Sequence, residues 1–316
     1  MSCTNQMMIR KTVDGVNSFA GPFKYGLIYK HRKPGVEYYP VPCGTCNYCK
    51  LKRSKLWAAR CTLEAMNWPY NYFITLTYND ENLPLVDNFC DRLGSLEKHS
   101  NLVVRHLQLF FKRFRKHGYK LKYLASGEYG SKTKRAHYHL IVFCDKPLDL
   151  KYYKLTENDD VLYTSPFLEK IWKYGFNVVG EFTPATAAYV ARYTLKKQAQ
   201  NQYSFLKQNY KQEFLVCSRG IGFSNVINNL DKVMNTKQIA YTFNNNVSYV
   251  PVWKSMIAKL ETLGYDSEVV KLREYYRNKA EIINRVNDIG YWGWYSKIRD
   301  LEYLFKIKSS KLNTKL

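Results

Sequence analysis

Residues 137–143 read His-Tyr-His-Leu-Ile-Val-Phe, so two imidazoles two residues apart lead into an apolar, β-branched run. An extended strand alternates its side chains, which puts His137 and His139 on one face and Tyr138 on the other. Lys120 to Glu128 reads as a second strand, and the polar stretch Gly130 to Arg135 as the turn joining the two into a hairpin. Antiparallel pairing across that hairpin brings Glu128 level with His137 and His139. One carboxylate and two imidazoles form a three-ligand site with open positions. Such oxygen and nitrogen donors suit Mg2+ or Mn2+ when phosphate supplies the remaining ligands. Two histidines at this spacing are by themselves more often ordinary strand residues. The glutamate and a basic setting tip the balance toward a metal site.

The neighbouring pattern alternates strands and helices, which indicates an α+β fold. Tyr-Phe-Ile-Thr-Leu-Thr-Tyr at 72–78 predicts a strand, closed by the turn residues Asn79-Asp80 and Pro84. Val103, Leu107, Phe110, Phe111 and Phe114 recur at helical spacing, with Lys112, Arg113, Arg115 and Lys116 on the opposite face. Ala187 to Lys197 predicts a further helix carrying Tyr189 and Tyr193 four residues apart, with Lys196 three beyond Tyr193. On packing grounds alone, such a tyrosine pair is more often a core element. Three segments follow: residues 1–66 with a cysteine cluster and a basic helix, 67–200 as the α+β core, and 201–316 as an extension.

Lys and Arg number 49 against 26 Asp and Glu, a formal net charge of +23 over 316 residues. Like charge of this size raises self-repulsion unless an anion relieves it, so a polyanion is the expected partner. The 28 Tyr, 16 Phe and 6 Trp offer faces on which bases stack. No run of about 18 apolar residues is present and the first residues lack a secretory layout, so a cytoplasmic protein without a membrane is expected.

Eight cysteines are too sparse for a disulfide scaffold. Cys43, Cys46 and Cys49 present three thiolates at a spacing that suits Zn2+, with Cys3 or Cys61 as the fourth ligand. Cys3 is favoured because it would anchor the N-terminal segment, whereas Cys61 lies on the helix. An iron–sulfur cluster fits less well, since the residue four beyond Cys49 is Arg53. The zinc would be structural, clamping a basic helix that includes Lys50, Lys52, Arg53, Lys55 and Arg60. Cys90, Cys144 and Cys217 read as small buried hydrophobes, and His99, His106 and His117 mostly as surface residues, with His106 able to face the sheet.

Phe-Ile-Thr-Leu-Thr-Tyr at 73–78, His-Tyr-His at 137–139 and Tyr-Val-Ala-Arg-Tyr-Thr-Leu-Lys at 189–196 resemble, in order, the three motifs of rolling-circle replication initiators of the HUH endonuclease superfamily. The chain is most similar to the gokushovirus-type initiators of microviruses, including Pro42-Cys43-Gly44 through Cys49, Gly127-Glu128-Tyr129-Gly130 and Ser218 to Phe223. The resemblance implies an HUH fold, a ferredoxin-like central antiparallel sheet flanked by helices. It implies metal binding by His137 and His139 with Glu128 as third ligand. Tyr193, which heads the Tyr-x-x-Lys element, is implied as nucleophile and Tyr189 as second tyrosine, although Arg192 stands where Lys would follow Tyr189. Lys196 would add charge near the phosphate, and Arg192, Lys197, Lys52 and Arg53 would contact DNA.

The activity implied is nicking of a single-stranded DNA origin, giving a 5′-phosphotyrosine and a free 3′-OH that later rejoins the ends. Replicative-form DNA and a host helicase and polymerase would be the partners, in the cytoplasm of a bacterial host. The rivals are a non-catalytic, zinc-containing nucleic-acid-binding protein and a phosphoesterase that uses water. In the extension, Ala240 to Val252 reads as extended and Val269 to Asn287 as helical. Tyr291-Trp-Gly-Trp-Tyr295 fits a hydrophobic plug better than a stacking site, and the chain ends in a basic tail from Lys306.

Overall fold

The computed structural model describes residues 7–11, 17–22, 37–44, 46–90, 95–130, 133–196, 211–243 and 246–286. Cys3, Lys197, the aromatic cluster at 291–295 and the basic tail lie outside the described residues, as do the side chains of Arg192, Tyr193 and Lys196. Contacts divide the chain into two compact units, one of residues 1–52, 234–237 and 252–316 and the other of residues 53–233 and 238–251.

The first unit begins with β1 (Met7–Lys11), β2 (Asn17–Pro22) and β3 (Glu37–Val41), an antiparallel sheet in the order β2-β1-β3. Helix α1 (Asn47–Ala65) follows and stops ahead of Pro69, whose ring disfavours helical backbone at the residue before it.

In the second unit β4 (Tyr70–Tyr78) leads to a hairpin of β5 (Leu85–Cys90) and β6 (Ser95–Ser100). Helix α2 (Val104–Lys116) buries Leu107, Phe110, Phe111 and Phe114, the stripe its periodicity predicts, and places Arg113, Arg115 and Lys116 in its last turn, where the helix dipole favours cations. The expected hairpin is present as β7 (Leu121–Tyr129) and β8 (Ala136–Cys144). A second hairpin, β9 (Lys151–Leu155) with β10 (Val161–Thr164), has no apolar alternation to announce it, since every β9 side chain is exposed. The short α3 (Pro166–Trp172) is set by its cap. Ser165 accepts from the Leu168 N–H, Pro166 opens the first turn, and Lys173 closes it in the left-handed region. Then come β11 (Gly175–Glu181), α4 (Pro184–Lys196) and β12 (Phe214–Cys217).

These strands form a seven-stranded sheet in the order β12-β7-β8-β4-β11-β10-β9, with every neighbouring pair antiparallel. One face packs Ile74, Leu76, Tyr138, Leu140 and Val142 against the phenylalanines of α2 and Leu168, Ile171 and Trp172 of α3. The other packs Leu124, Ile141 and Phe143 against Cys61 of α1, Ala187 and Val190 of α4, and Ile221. Each fully buried large side chain contributes roughly 1.5–3 kcal/mol relative to exposure.

The chain continues through α5 (Phe223–Asn228) and α6 (Leu230–Thr236) to the hairpin β13 (Gln238–Phe243) and β14 (Asn246–Pro251). Helices α7 (Lys254–Thr262) and α8 (Asp266–Val286) return to the first unit, where Met256, Leu260, Val269 and Leu272 are buried. No helix among the described residues is long and apolar enough to cross a membrane.

Two sequence expectations are corrected. Cys217 is exposed rather than buried, because it ends β12, an edge strand paired on one side only. His106 is not a surface residue: its Nδ1 lies 2.9 Å from the Tyr78 hydroxyl and its ring stacks 4.0 Å from that of Tyr174. Cys144 and Cys61 are buried as expected.

Candidate functional site

The hairpin register pairs Glu128 with His137 and Ser126 with His139. On the other side of β8, Thr77 pairs with His137 and Thr75 with His139. Directly opposed residues of an antiparallel ladder share a face, so all six side chains point the same way. Tyr138 points to the opposite face, where its hydroxyl lies 2.7 Å from that of Tyr78 and donates to the Val103 carbonyl at 3.0 Å. A fully buried Tyr138 locks the register of β8, and a slip by one residue would turn both histidines into the core.

One ligand atom each of Glu128, His137 and His139 lies within 4.8 Å of the others. Glu128 is 1% exposed and His139 is 7% exposed. Nε2 of His139 stands 3.5 Å from Oε1 of Glu128, and the Ser126 hydroxyl donates to the same oxygen at 3.2 Å. Nδ1 of His137 is 3.0 Å from the Arg135 carbonyl oxygen. A carbonyl only accepts, so Nδ1 carries the proton and Nε2 is the nitrogen left to ligate. Nδ1 of His139 lies 2.9 Å from the Thr75 hydroxyl, which orients the second ring.

A carboxylate oxygen near Nε2 favours a protonated ring, but burial opposes it more strongly. Burial first, and the neighbouring His137 ring second, lower the His139 pKa to about 3. The ring is therefore neutral near pH 7, the form in which imidazole ligates a metal. Two imidazoles and one carboxylate on a rigid interior hairpin fit a divalent cation, with Thr75 and the Arg135 carbonyl in the outer positions that commonly fix ligand tautomers. Thr75 and Ser126 were not singled out by sequence reasoning. The available signal was a polar residue at every second position of a strand otherwise made of Ile and Leu.

Tyr189 joins this cluster from α4. Ala187, Val190 and Ala191 are buried, while Tyr189 stays half-buried. Its ring meets His139 edge-on at 5.3 Å and Phe73 at 6.1 Å, and Phe73 in turn stacks on His139 at 5.6 Å. Tyr193 lies one turn further along the same helix, followed by Lys196 at its end.

The cysteines form a second group in the first unit. Sulfurs of Cys43, Cys46 and Cys49 lie within 4.8 Å of one another, and the Cys46 N–H donates to Cys43 Sγ at 3.3 Å. Gly44 adopts φ +76°, which lets the chain turn between the first two sulfurs. Cys46 immediately precedes α1 and Cys49 sits in its first turn, where backbone N–H groups favour thiolates. This all-sulfur donor set fits a soft cation such as Zn2+. Cys61, the other candidate fourth ligand, sits fully buried in the apolar cluster beneath α1, and burial pushes its thiol pKa up. Lys52 and Arg53 are exposed on α1.

Residues 71–198 match the model of a family described as the replication-associated protein ORF2 family. Over 285 residues the chain is 33% identical to Replication-associated protein ORF2 of Spiroplasma virus 4, covering 89% of this chain and 86% of that protein. It is 35% identical over 177 residues to Replication-associated protein VP4 of Bdellovibrio phage phiMH2K, covering 55% of this chain and 54% of the relative. A third relative, Replication-associated protein ORF4 of Chlamydia phage 1, is 33% identical over 211 residues, 64% of this chain and 49% of its own. No solved structure matches the chain significantly. On the extent and identity of these matches, the chain belongs to the replication-associated protein ORF2 family, among the rolling-circle replication initiators of microviruses.

Proposed function

We propose that this initiator nicks single-stranded DNA at a phage origin by tyrosine attack on a phosphodiester and later rejoins the ends. The observation that carries the reading is the Glu128–His137–His139 cluster with the Tyr189 ring 5.3 Å from His139. A nucleophile-bearing helix beside a phosphate-polarising donor set is the arrangement such chemistry needs. The antiparallel sheet with the histidines on an interior strand agrees with an HUH endonuclease fold.

Tyr193 is the proposed nucleophile, because it heads the Tyr-x-x-Lys element, and Tyr189 the second tyrosine. A phenol with an ordinary pKa near 10 is a weak nucleophile, so the charge developing on attack must be offset. Glu128, His137 and His139 would hold Mg2+ or Mn2+, which when bound supplies Lewis-acid neutralisation of the nonbridging phosphate oxygens. Lys196 adds a further positive charge, and Arg192, Lys197, Lys52 and Arg53 hold the strand by its phosphates. The phenol oxygen gives up its proton and forms the bond to phosphorus. The bond from phosphorus to the 3′ oxygen breaks, and that oxygen takes up a proton. One ester replaces another, so the free 3′-OH can reverse the reaction without ATP.

A structural Zn2+ at Cys43, Cys46 and Cys49, with Cys3 completing the set, would order a Cys-rich segment reaching residue 66. The endonuclease core would span 67–200, with a DNA-binding or structural extension from 201. The protein would act in the host cytoplasm with a host helicase and polymerase.

The test is covalent capture on a single-stranded origin oligonucleotide with Mn2+. Wild type should give an adduct that peptide mapping assigns to Tyr193, and Tyr193→Phe should abolish it. An undiminished adduct in that variant would move the nucleophile to Tyr189. No adduct in wild type, with DNA binding intact, would leave the non-catalytic reading.

A further inference from the structure

Phe176 is 65% exposed although β11 is an interior strand, paired to β4 on one side and β10 on the other. Its neighbour Asn177 turns to the opposite face, where it is buried and donates to the Ser165 carbonyl. The register places Phe176 opposite Thr77, Thr77 opposite His137, and His137 opposite Glu128. The four side chains form one cross-strand row on one face of the sheet, with the metal-type donors at one end and an open aromatic ring at the other.

Gly175 holds the ring's backbone in place. With φ +150°, a Cβ there would stand 2.3 Å from the Asn79 nitrogen and 2.4 Å from the Thr77 oxygen, so β11 closes on β4 as no other residue would allow. Strands lie about 4.8 Å apart, so Phe176 is roughly 10 Å from His137 across the row. Isolated exposed apolar residues are common on protein surfaces. This one is distinguished by its rigid strand and by continuity with a site whose expected ligand carries an aromatic base beside every phosphate.

We infer that Phe176 is a stacking platform for a nucleobase of single-stranded DNA flanking the phosphate held at Glu128, His137 and His139. The inference rests on the nicking site proposed above. With +23 formal charges, phosphate contacts supply affinity along the strand, and the ring adds a contact that depends on the base and tolerates any sequence. Thr77, half-buried between the two, lies along the path a strand would take from donor set to ring.

The test uses the full chain with Mn2+ and compares a fluorescein-labelled oligodeoxythymidine with an abasic deoxyribose-phosphate strand of equal length. Phe176→Ala should weaken binding of the base-bearing strand about 5- to 150-fold. It should leave the abasic strand, the salt dependence and the Mn2+ affinity unchanged. Phe176→Trp should retain wild-type affinity and show additional fluorescence quenching on binding. Equal affinity of Phe176→Ala and wild type for the base-bearing strand, or an equal penalty on both strands, overturns the inference. Absent Mn2+ binding in wild type, with the base-dependent penalty intact, would instead sink the metal reading and leave the stacking platform standing.

Discussion

The two donor clusters of this protein are built by opposite means. Cys43, Cys46 and Cys49 fall within seven residues of one another, and a single turn into α1 gathers their sulfurs. Glu128, His137 and His139 are gathered by hairpin register, and their geometry depends on what lies beneath and beside the strands. The cysteine set therefore needs only local backbone. The histidine set needs Tyr138 buried on one face, Thr75 alongside and the helix bearing Tyr189 across the top. Local clusters of soft donors suit a structural ion, whereas a cluster that spans elements can be opened to a substrate.

Removing a ligand should separate the two most sharply. His137→Ala is expected to abolish Mn2+ binding measured by electron paramagnetic resonance while zinc content by native mass spectrometry stays at wild type. Cys46→Ser should do the reverse. Loss of both ions in either variant would show that the clusters are not independent. Equal zinc in Cys46→Ser and wild type would rule out the cysteine site.

A smaller effect tests the outer contacts. Thr75→Val keeps the shape of the side chain and removes its oxygen, so Mn2+ affinity should fall about 10- to 100-fold by titration calorimetry. Thr75→Ser should recover most of it, and an unchanged affinity in the valine variant would dismiss Thr75 as an orienting residue.

The smallest effect is with pH. The His139 pKa, lowered to about 3, means that the unfolded chain takes up a proton below about pH 6.5 that the folded chain refuses. The unfolded state binds more protons in that window, so stability rises with pH there. The contribution is complete above pH 6.5 and is lost as pH falls toward 3, by at most about 1.4 kcal/mol per pH unit. Urea midpoints in EDTA from pH 8 to pH 4 should show this slope in wild type and a shallower one in His139→Gln. Identical slopes would mean that the ring is solvated.

Strong periodicity made some elements legible. The phenylalanines of α2, the run 73–78 and the hairpin carrying the histidines follow from apolar spacing. β9 and α3 did not, because Lys151 to Leu155 buries nothing and α3 is only seven residues held by the Ser165 cap. His106 reads as an outward residue until Tyr78 and Tyr174 enclose it. Cys217 reads as buried until β12 proves to be an edge strand. Each miss concerns a residue whose environment is supplied by segments distant in the chain.

Sequence by itself determined the donor identities, the shared face of His137 and His139, the level of Glu128 and the cationic character of the surface, because alternation, hairpin pairing and charge are local or additive. Only the tertiary structure decided that Thr75 orients His139, that the Tyr189 ring stands against it, and that Phe176 shares a row with the donors. Those contacts join β4, β8, β11 and α4, and which strand lies beside which is set by burying both faces of the sheet at once rather than by any one segment.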